Sequence, residues 1–237
     1  MSSLKTKVTD LSSSQASLVS LVIVSMIVSS TPVFSFAQEM PFDMSEFISE
    51  FIGTIKVEFQ PTQTGGVLNG CTLVYNLVQP DYAYRHGHLI SIVGNIAYFT
   101  NAKRNMLGLA LKIWTRESLD KTAKPEAPYF AYIQSPHGST ASSKIAQSDS
   151  DDPGSRLFVY ELDKHSMAVL KDLMDGETLK IGFNRQEAGM DVLASLDVHV
   201  ANTTVSPQGS VIRQRTDDAL HQFVFCVGNL TEQIKAQ

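Results

Sequence analysis

The feature that most constrains the fold is an alternation of apolar and polar residues that recurs along the chain after residue 53. Successive side chains of a β-strand point to opposite faces, so this alternation predicts half-buried strands. The alternating segments are 54–59, 71–78, 88–99, 107–114, 129–134, 156–162, 179–183 and 192–200. Short connections and the lack of regular strand–helix alternation favour antiparallel pairing. We expect about seven to nine strands in a curved sheet or a sandwich.

Three segments instead have apolar residues at helical spacing. They predict a short N-terminal helix within Met40–Ile52, a mid-chain helix over Lys164–Asp175 and a packed C-terminal helix that begins after Thr216. Asp163 is suited to cap the middle helix, and Gly176 to end it. The predicted class is therefore α+β. For the first helix, the alternative is a flexible arm that docks on a partner through Phe47 and Phe51.

Two local features carry further predictions. Gly94 interrupts the apolar face of segment 88–99, which indicates a bulge or a close approach of backbone. The segment 135–155 is rich in Ser, Gly, Asp and Pro and poor in large apolar residues. It has too little apolar surface to offset its ordering entropy, so we expect a mobile surface loop.

The N-terminus has the pattern of a secretory signal peptide. Lys5 and Lys7 precede the apolar run 18–28, and Ser35 and Ala37 supply small residues before a cleavage site. The run is shorter than a membrane span, so we expect cleavage after Ala37, with an uncleaved anchor as the alternative. The sequence therefore predicts a single exported domain over 38–237.

Charge and hydropathy narrow the partners of this domain. The whole chain has a formal net charge of −5, and its predicted signal holds two lysines and one aspartate. The remaining chain is therefore mildly acidic and has no Lys/Arg cluster of the kind that neutralises phosphates, so we expect no nucleic-acid partner. No second stretch is long and apolar enough for a membrane span after signal removal.

The two cysteines, Cys71 and Cys226, most simply form one disulfide in an exported chain. The alternative is a pair of buried free thiols. Leu68–Cys71 resembles the end of a lipoprotein signal, but Cys71 lies too far beyond the apolar run for lipidation. The signal favours bacterial export to the periplasm or medium. The glycosylation sequons at Asn202 and Asn229 would matter only in a eukaryotic secretory pathway.

The histidines offer a weak metal hypothesis. His86 and His88 are two apart at the start of a predicted strand and would share its face, as two metal ligands could. A zinc site needs three or four protein ligands, and the sequence forces no third ligand, although His137, His165 and His199 are present. We expect no metal and no cofactor, with His86 and His88 as the residues to test.

Other reactive patterns are weaker still. Asp149–Gly154 resembles part of a calcium loop, but Pro153 and Tyr160 stand where ligands are required. The loop Ser135–Ser139 places hydroxyl groups near the imidazole of His137, without the motifs of a serine hydrolase. The carboxylates of Glu187, Asp191 and Asp197 are expected to be solvated. We assign no catalytic residue.

These observations favour a non-enzymatic exported protein that binds a partner at the cell envelope. Export and the lack of a catalytic motif support this hypothesis, which expects an exposed apolar patch, with Phe47 and Phe51 as its candidates. The alternative is an exported hydrolase or metal-dependent enzyme that uses His86 and His88. It requires a third ligand beside the two histidines.

Overall fold

A computed structural model describes residues 44–101, 106–118, 120 and 122–235 of the chain. All of them belong to one compact unit, Phe42–Gln237. The predicted signal peptide, 1–37, lies outside the described residues. Its cleavage therefore stays a prediction, as does the assignment of 38–237 to a single exported domain.

Strands dominate the described residues, among which are eleven strands, three α-helices and one 3₁₀-helix. The helices are α1 (Met44–Phe51), α2 (Lys164–Met174) and α3 (Asp218–Lys235), and the 3₁₀-helix is Thr140–Ser142. The strands are β1 (Gly53–Thr64), β2 (Val67–Asp81), β3 (His88–Asn101), β4 (Met106–Glu117), β5 (Phe130–Gln134), β6 (Ile145–Asp149), β7 (Arg156–Glu161), β8 (Leu179–Asn184), β9 (Val192–Leu196), β10 (Val200–Val205) and β11 (Val211–Arg215).

The strands form three sheets. The main sheet has the order β1-β2-β3-β4-β7-β6, the small sheet has the order β5-β8-β9, and β10 and β11 form a two-stranded ribbon. Every strand pair in these sheets is antiparallel. The predicted α+β class, with mostly antiparallel sheet and a packed C-terminal helix, is confirmed.

One hydrophobic core joins the main sheet, the small sheet and the inner faces of α2 and α3. Phe158 of the main sheet and Phe183 of the small sheet are both fully buried in it. Tyr160 of β7 donates its buried hydroxyl to the carbonyl oxygen of Ala131 in β5, at 2.7 Å. This bond satisfies a phenol inside the core and fixes the small sheet against the main one.

The disulfide between Cys71 and Cys226 confirms the predicted pairing. It joins β2 to α3, with the Cα atoms 5.8 Å apart and a sequence separation of 155. Leu220, Phe223 and Leu230 of α3 are buried on the face that carries Cys226, as their helical spacing predicts. The terminal helix is thus bound to the main sheet covalently and by apolar packing.

Gly94 confirms the predicted close approach of backbone. It pairs with Tyr75 in β2 and Ile113 in β4. A Cβ atom at Gly94 would lie 2.7 Å from the Tyr75 hydroxyl oxygen and would collide with the carbonyl oxygen of Lys112. The missing side chain therefore leaves room for the fully buried ring of Tyr75.

The helix ends follow the predicted signals. The Asp163 carboxylate accepts the backbone N–H groups of His165 and Ser166, and the Ser166 hydroxyl accepts the Asp163 N–H, which completes a capping box. After α2, Gly176 has φ +79°, a conformation that favours glycine. The Thr216 hydroxyl accepts the N–H of Asp218 at the start of α3.

Three short strands were not expected, and the predicted count of seven to nine is too low. The segment 135–155, predicted as a mobile surface loop, contains the 3₁₀-helix and β6. The sequence of β6 does not alternate between apolar and polar residues, and most of its side chains are exposed. Antiparallel pairing with β7, rather than burial of an apolar face, holds it in the main sheet. The mobility of 135–155 stays a prediction.

The segment 192–200, predicted as one strand, is divided at Asp197 into β9 and the start of β10. The ribbon of β10 and β11 is polar and packs on β1 through side-chain contacts with the β1 backbone. Thr203 donates its hydroxyl to the carbonyl oxygen of Thr54 at 3.3 Å. Arg213 does the same with its Nε atom, also at 3.3 Å.

Strand β1 is longer than predicted. It continues through Pro61 to Thr64, and Gly65 and Gly66, both with positive φ, form the turn to β2. Pro61 is tolerated because β1 is an edge strand of the main sheet, where a missing N–H need not break a ladder bond. No helix among the described residues is long and apolar enough to cross a membrane.

Candidate binding surface

The turn between β2 and β3 is built around the carboxylate of Asp81, which is fully buried. The N–H of Tyr84 donates to Asp81 Oδ1 at 2.8 Å. The N–H groups of Arg85 and Gly87 donate to the Asp81 carbonyl oxygen at 3.1 and 2.9 Å. One residue therefore fixes the backbone of the whole turn.

A charge network connects this turn to the turn between β8 and β9. Arg185 donates to Asp81 at 3.3 Å and to Glu126 at 2.5 Å. Arg85 contacts the same Glu126 carboxylate with bonds of 2.7 and 2.8 Å, and Glu117 at 3.3 Å. Two guanidinium groups thus hold together segments that lie about a hundred residues apart in the sequence.

Two tyrosines donate hydrogen bonds to the turn between β8 and β9. Tyr84 donates its hydroxyl to the carbonyl oxygen of Met190 at 2.6 Å. Tyr132 of β5 donates its hydroxyl to Asp191 Oδ2 at 2.8 Å, and Asn184 donates to the other oxygen of that carboxylate at 3.3 Å. Burial and the bond to Asp191 raise the pKa of Tyr132 to about 12, so the hydroxyl keeps its proton at neutral pH.

The ring of Tyr132 lies over Gly182 in β8, where a Cβ atom would collide with it. Gly182 pairs with the exposed Leu193 of β9. Phe130 lies beside Tyr132 on β5, with ring centroids 6.0 Å apart. On this face of the small sheet, the Tyr132 ring therefore covers the gap at Gly182 between β5 and the exposed Leu193 of β9.

Several apolar side chains at this end of the molecule are strongly exposed. Tyr82 is 78% exposed and Met190 is 70% exposed. We define the tyrosine surface as the following seven residues: Tyr82, Tyr84, Tyr129, Tyr132, Met190, Asp191 and Leu193. An exposed apolar group of this kind, fixed by hydrogen bonds, is typical of an interaction site.

The comparisons with known proteins give no identification. No family model matches the chain, and no curated protein or solved structure matches it. The chemistry of the chain therefore has to be inferred from the geometry of its own residues.

His86 and His88 lie in and beside the Asp81 turn, and both are exposed. His86 has φ +52° and precedes β3, which begins at His88, so the two imidazoles do not occupy one strand face. Among the described residues, no group of three or more His, Cys, Asp or Glu side chains is placed to hold a metal ion. Metal binding by this pair stays a prediction.

The fold brings Ser135, His137 and Asp172 together, which the sequence could not show. The buried Asp172 carboxylate accepts the N–H of His137 at 3.0 Å and contacts His137 Nδ1 at 2.9 Å. Burial opposes ionisation of Asp172, but bonds from Ser135 and His137 outweigh it and lower its pKa. The carboxylate is thus the shared acceptor. In a hydrolase triad the histidine would lie between the other two residues.

The structure places the three carboxylates that were expected to be solvated at both ends of β9. Asp191 and Asp197 flank opposite ends of β9, and Glu187 is exposed in the β8–β9 turn. Asp197 accepts two bonds from Arg215, at 2.5 and 3.3 Å. Asp191 belongs to the tyrosine surface, where its partner is a phenol.

At the Asp197 end of β9, His199 connects three segments. Its Nδ1 lies 2.6 Å from Asp217 Oδ1, and its Nε2 lies 2.9 Å from the carbonyl oxygen of Gly176. The bond to Gly176 and the carboxylate of Asp217 raise the pKa of His199. We call His199, Gly176 and Asp217 the histidine clip.

In the calcium-like segment, the carboxylates have cationic partners. Asp152 forms an ion pair with Lys112 of β4, and Asp149 lies 3.5 Å from Arg156. These contacts attach the segment to the main sheet. The carboxylates of this segment therefore belong to a turn that ion pairs attach to the edge of the sheet.

The predicted apolar patch of α1 is only partly described. The side chain of Phe47 lies outside the described residues, and Phe51 is half-buried. The end of α1 is held by Arg213, which donates to the carbonyl oxygens of Glu50 at 2.7 Å and Ile52 at 2.8 Å. Of the two sequons, Asn202 is half-buried in β10, and Asn229 is exposed on α3.

Sequence reasoning missed the tyrosine surface. It singled out the Tyr84–His88 segment for its histidines, although the tyrosine has the structural role. It identified the aromatic strand at 129–134 without a function. The signal was present in the tyrosines themselves, but only the turn at 185–191 brings Met190 and Asp191 to them.

Proposed function

We propose that this chain is an exported, non-enzymatic protein that binds a partner protein at the cell envelope through the tyrosine surface. The observation that carries the proposal is the position of Tyr84 and Tyr132, whose hydroxyls are bonded to the adjacent residues Met190 and Asp191. Rings fixed in this way lose little conformational entropy when a partner covers them.

The composition of the surface favours a protein as the partner. Tyrosine and methionine are enriched at protein interfaces, where lysine, glutamate and aspartate are depleted. The tyrosine surface contains four tyrosines and one methionine and has no lysine. Its single charged member, Asp191, lies beside rings that exclude water on contact.

Export is supported by two independent features. The first is the signal-like pattern of residues 1–37. The second is the Cys71–Cys226 disulfide, a bond that persists in the periplasm and outside the cell and is rare in a reducing cytosol. Native mass spectrometry of protein from the exporting cell tests this part: we expect an N-terminus at Gln38 and a mass two daltons below that of the dithiol. An intact Met1 or two free thiols would overturn it.

Site-specific photo-crosslinking tests the binding surface. Benzoylphenylalanine would replace Tyr82 or Met190 in the exporting cell, and Phe225 would be replaced as the matched control. Phe225 is 72% exposed on α3, outside the tyrosine surface. We expect a discrete crosslinked protein from positions 82 and 190 and none from 225. Equal crosslinking at all three positions, or none at 82 and 190, contradicts the proposal.

The alternative is an exported hydrolase or metal-dependent enzyme that uses His86 and His88. The native mass spectrum described above also distinguishes this alternative from the binding protein. Metal retained under native conditions, and lost when both histidines are replaced by alanine, would favour it. No metal in the unmodified protein would contradict the metal-dependent form.

A further inference from the structure

We propose that the tyrosine surface binds a lysine or arginine side chain of the partner polypeptide, with Asp191 as the counter-ion. This inference rests on the proposed function and adds the chemistry of the partner. It follows from a carboxylate that is exposed and fixed in position by the Tyr132 hydroxyl, next to Met190, to which Tyr84 is bonded.

The Asp191 carboxylate is held from two sides. Tyr132 donates to one oxygen at 2.8 Å and Asn184 to the other at 3.3 Å. Each carboxylate oxygen has about two acceptor sites, so these bonds leave acceptor capacity on both oxygens. Asp191 is exposed, and a cation can approach it without displacing either donor.

The rings beside Asp191 also favour a cation. The hydroxyls of Tyr84 and Tyr132 are directed to internal acceptors, so their donor capacity is used within the surface. What remains is acceptor oxygen and the negative faces of the rings. Ammonium and guanidinium groups bind to such faces, with arginine the more frequent partner.

The surrounding charge adds long-range attraction. Five carboxylates lie in this cluster of turns, and two of the guanidinium groups there are bonded to three of them. A third guanidinium group, that of Arg156 beside Tyr129, is paired with Asp149, so that pair adds no net charge. A formal excess of three negative charges remains, which concentrates cationic ligands near the surface. The five carboxylates are Asp81, Glu117, Glu126, Glu187 and Asp191, and the guanidinium groups bonded to three of them are those of Arg85 and Arg185.

The exposure of the flanking residues favours a polypeptide over a free amine. Small ligands bind in sites that bury most of their surface. Tyr82 and Met190 are 78% and 70% exposed, and a single amine would leave them largely uncovered. A basic segment of a polypeptide covers them while one of its cationic groups reaches Asp191.

Fluorescence anisotropy with the full disulfide-bonded chain tests the inference. The probes are labelled tetralysine, tetraglutamate and tetraglutamine peptides at low ionic strength. We expect tetralysine to bind and the other two not to bind. Because the attraction is between exposed charges, affinity should fall when about 0.3 M NaCl is added.

Matched variants distinguish binding at Asp191 from a general attraction of the cationic peptide to an acidic protein. Asp191→Asn should weaken tetralysine binding about fivefold, since it removes the counter-ion beside the rings. Asp151→Asn removes the same charge from an exposed position on another turn and should change the affinity by less than about twofold. Equal loss in the two variants, or equal binding of tetraglutamate, overturns the inference.

A second variant keeps the test decisive if Asp191→Asn does not fold. Leu193→Lys places a positive charge on the exposed face beside Tyr132 and should weaken tetralysine binding at least as much. Circular dichroism establishes that each variant is folded. A folded Leu193→Lys protein with unchanged affinity also overturns the inference.

The outcomes distinguish this inference from the proposed function. Crosslinking at positions 82 and 190 without any preference for tetralysine supports an envelope partner and rejects the cationic group. Binding that depends on Asp191 without any crosslinking in the cell supports the cation site and rejects the envelope partner.

Discussion

Strand β9 joins two regions that use side-chain bonds in different ways. At its first end, Arg185 holds the β2–β3 and β8–β9 turns together through the buried carboxylate of Asp81. At its other end, His199 connects the end of α2 to the start of α3. Both regions join segments distant in sequence. The connecting group is the guanidinium of Arg185 at the first end and the imidazole of His199 at the other, where Arg215 also pairs with Asp197.

The difference decides how each region responds to its surroundings. A guanidinium group stays charged at all relevant pH values, so the cationic side of the contacts below the tyrosine surface keeps its charge near neutrality. An imidazole changes charge close to neutral pH, so the histidine clip weakens there. The exposed apolar side chains of the tyrosine surface therefore lie on a frame whose bonds persist across the neutral pH range.

Loss of the disulfide should have the largest effect on stability. It closes a loop of 155 residues, and its removal should lower the free energy of unfolding by about 4 kcal/mol. Urea denaturation of the Cys71→Ala/Cys226→Ala protein measures this value. Because the bond holds α3, the clip should loosen before the tyrosine surface does. Hydrogen exchange that is uniform across both regions would contradict this order.

Arg185→Ala should destabilise the tyrosine end next most strongly. It leaves Asp81 buried without its cationic partner, at a cost of about 3 kcal/mol. Urea denaturation measures the change. The control is Arg215→Ala, since Arg215 is more than half exposed and its ion pair with Asp197 should contribute less than about 1 kcal/mol. Similar losses in the two variants would contradict the assigned role of the buried carboxylate.

Arg213→Ala should release the end of α1. The guanidinium group donates to three carbonyl oxygens, those of Glu50, Ile52 and Thr54, and its loss should cost about 2 kcal/mol. Faster hydrogen exchange confined to α1 and the start of β1 is the expected result. Unchanged exchange there would show that packing alone holds the helix.

Loss of the histidine clip should have the smallest effect on the free energy of unfolding, and this effect should depend on pH. The folded state raises the pKa of His199. The stabilisation by the clip is therefore fully present below the unfolded-state pKa of about 6.5 and is lost as the pH rises through the folded-state pKa. Because Asp217 is more than half exposed, the contribution should stay below about 1 kcal/mol. Thermal denaturation across this range should show the loss in the unmodified protein and not in His199→Gln.

The fold class was predictable because period-two and helical patterns report which faces are buried. The apolar positions of β3 at Ile90, Ile92 and Ile96 are all fully buried, as their spacing predicts. Strand β6 and the β10–β11 ribbon were not predictable in this way. Their side chains are mostly polar or exposed, and they are held by pairing with neighbours that the sequence does not identify.

The candidate site was less predictable than the fold. Asp191 was expected to be solvated because it lies on the outer face of a predicted hairpin. The ring that holds it, Tyr132, is 59 residues away. The pairing of Tyr84 with Met190 spans 106 residues and leaves no local pattern. Such contacts are set by how the two turns meet, which depends on the packing of the two sheets.

The sequence by itself determined the strand-rich class, the helix caps at Asp163 and Gly176, and the choice of cysteines for the disulfide. The strands and helix caps depend on local backbone preference, and the disulfide depends on the chain having two cysteines. Both can be read from a single sequence. Only the tertiary structure decided that Tyr84, Tyr132 and Asp191 form one surface. It also decided that Asp197 and His199 bond to each other at the other end of β9. The physical reason is that the contacts of the two tyrosines join segments far apart in the chain, and their energy appears only when the sheets are packed.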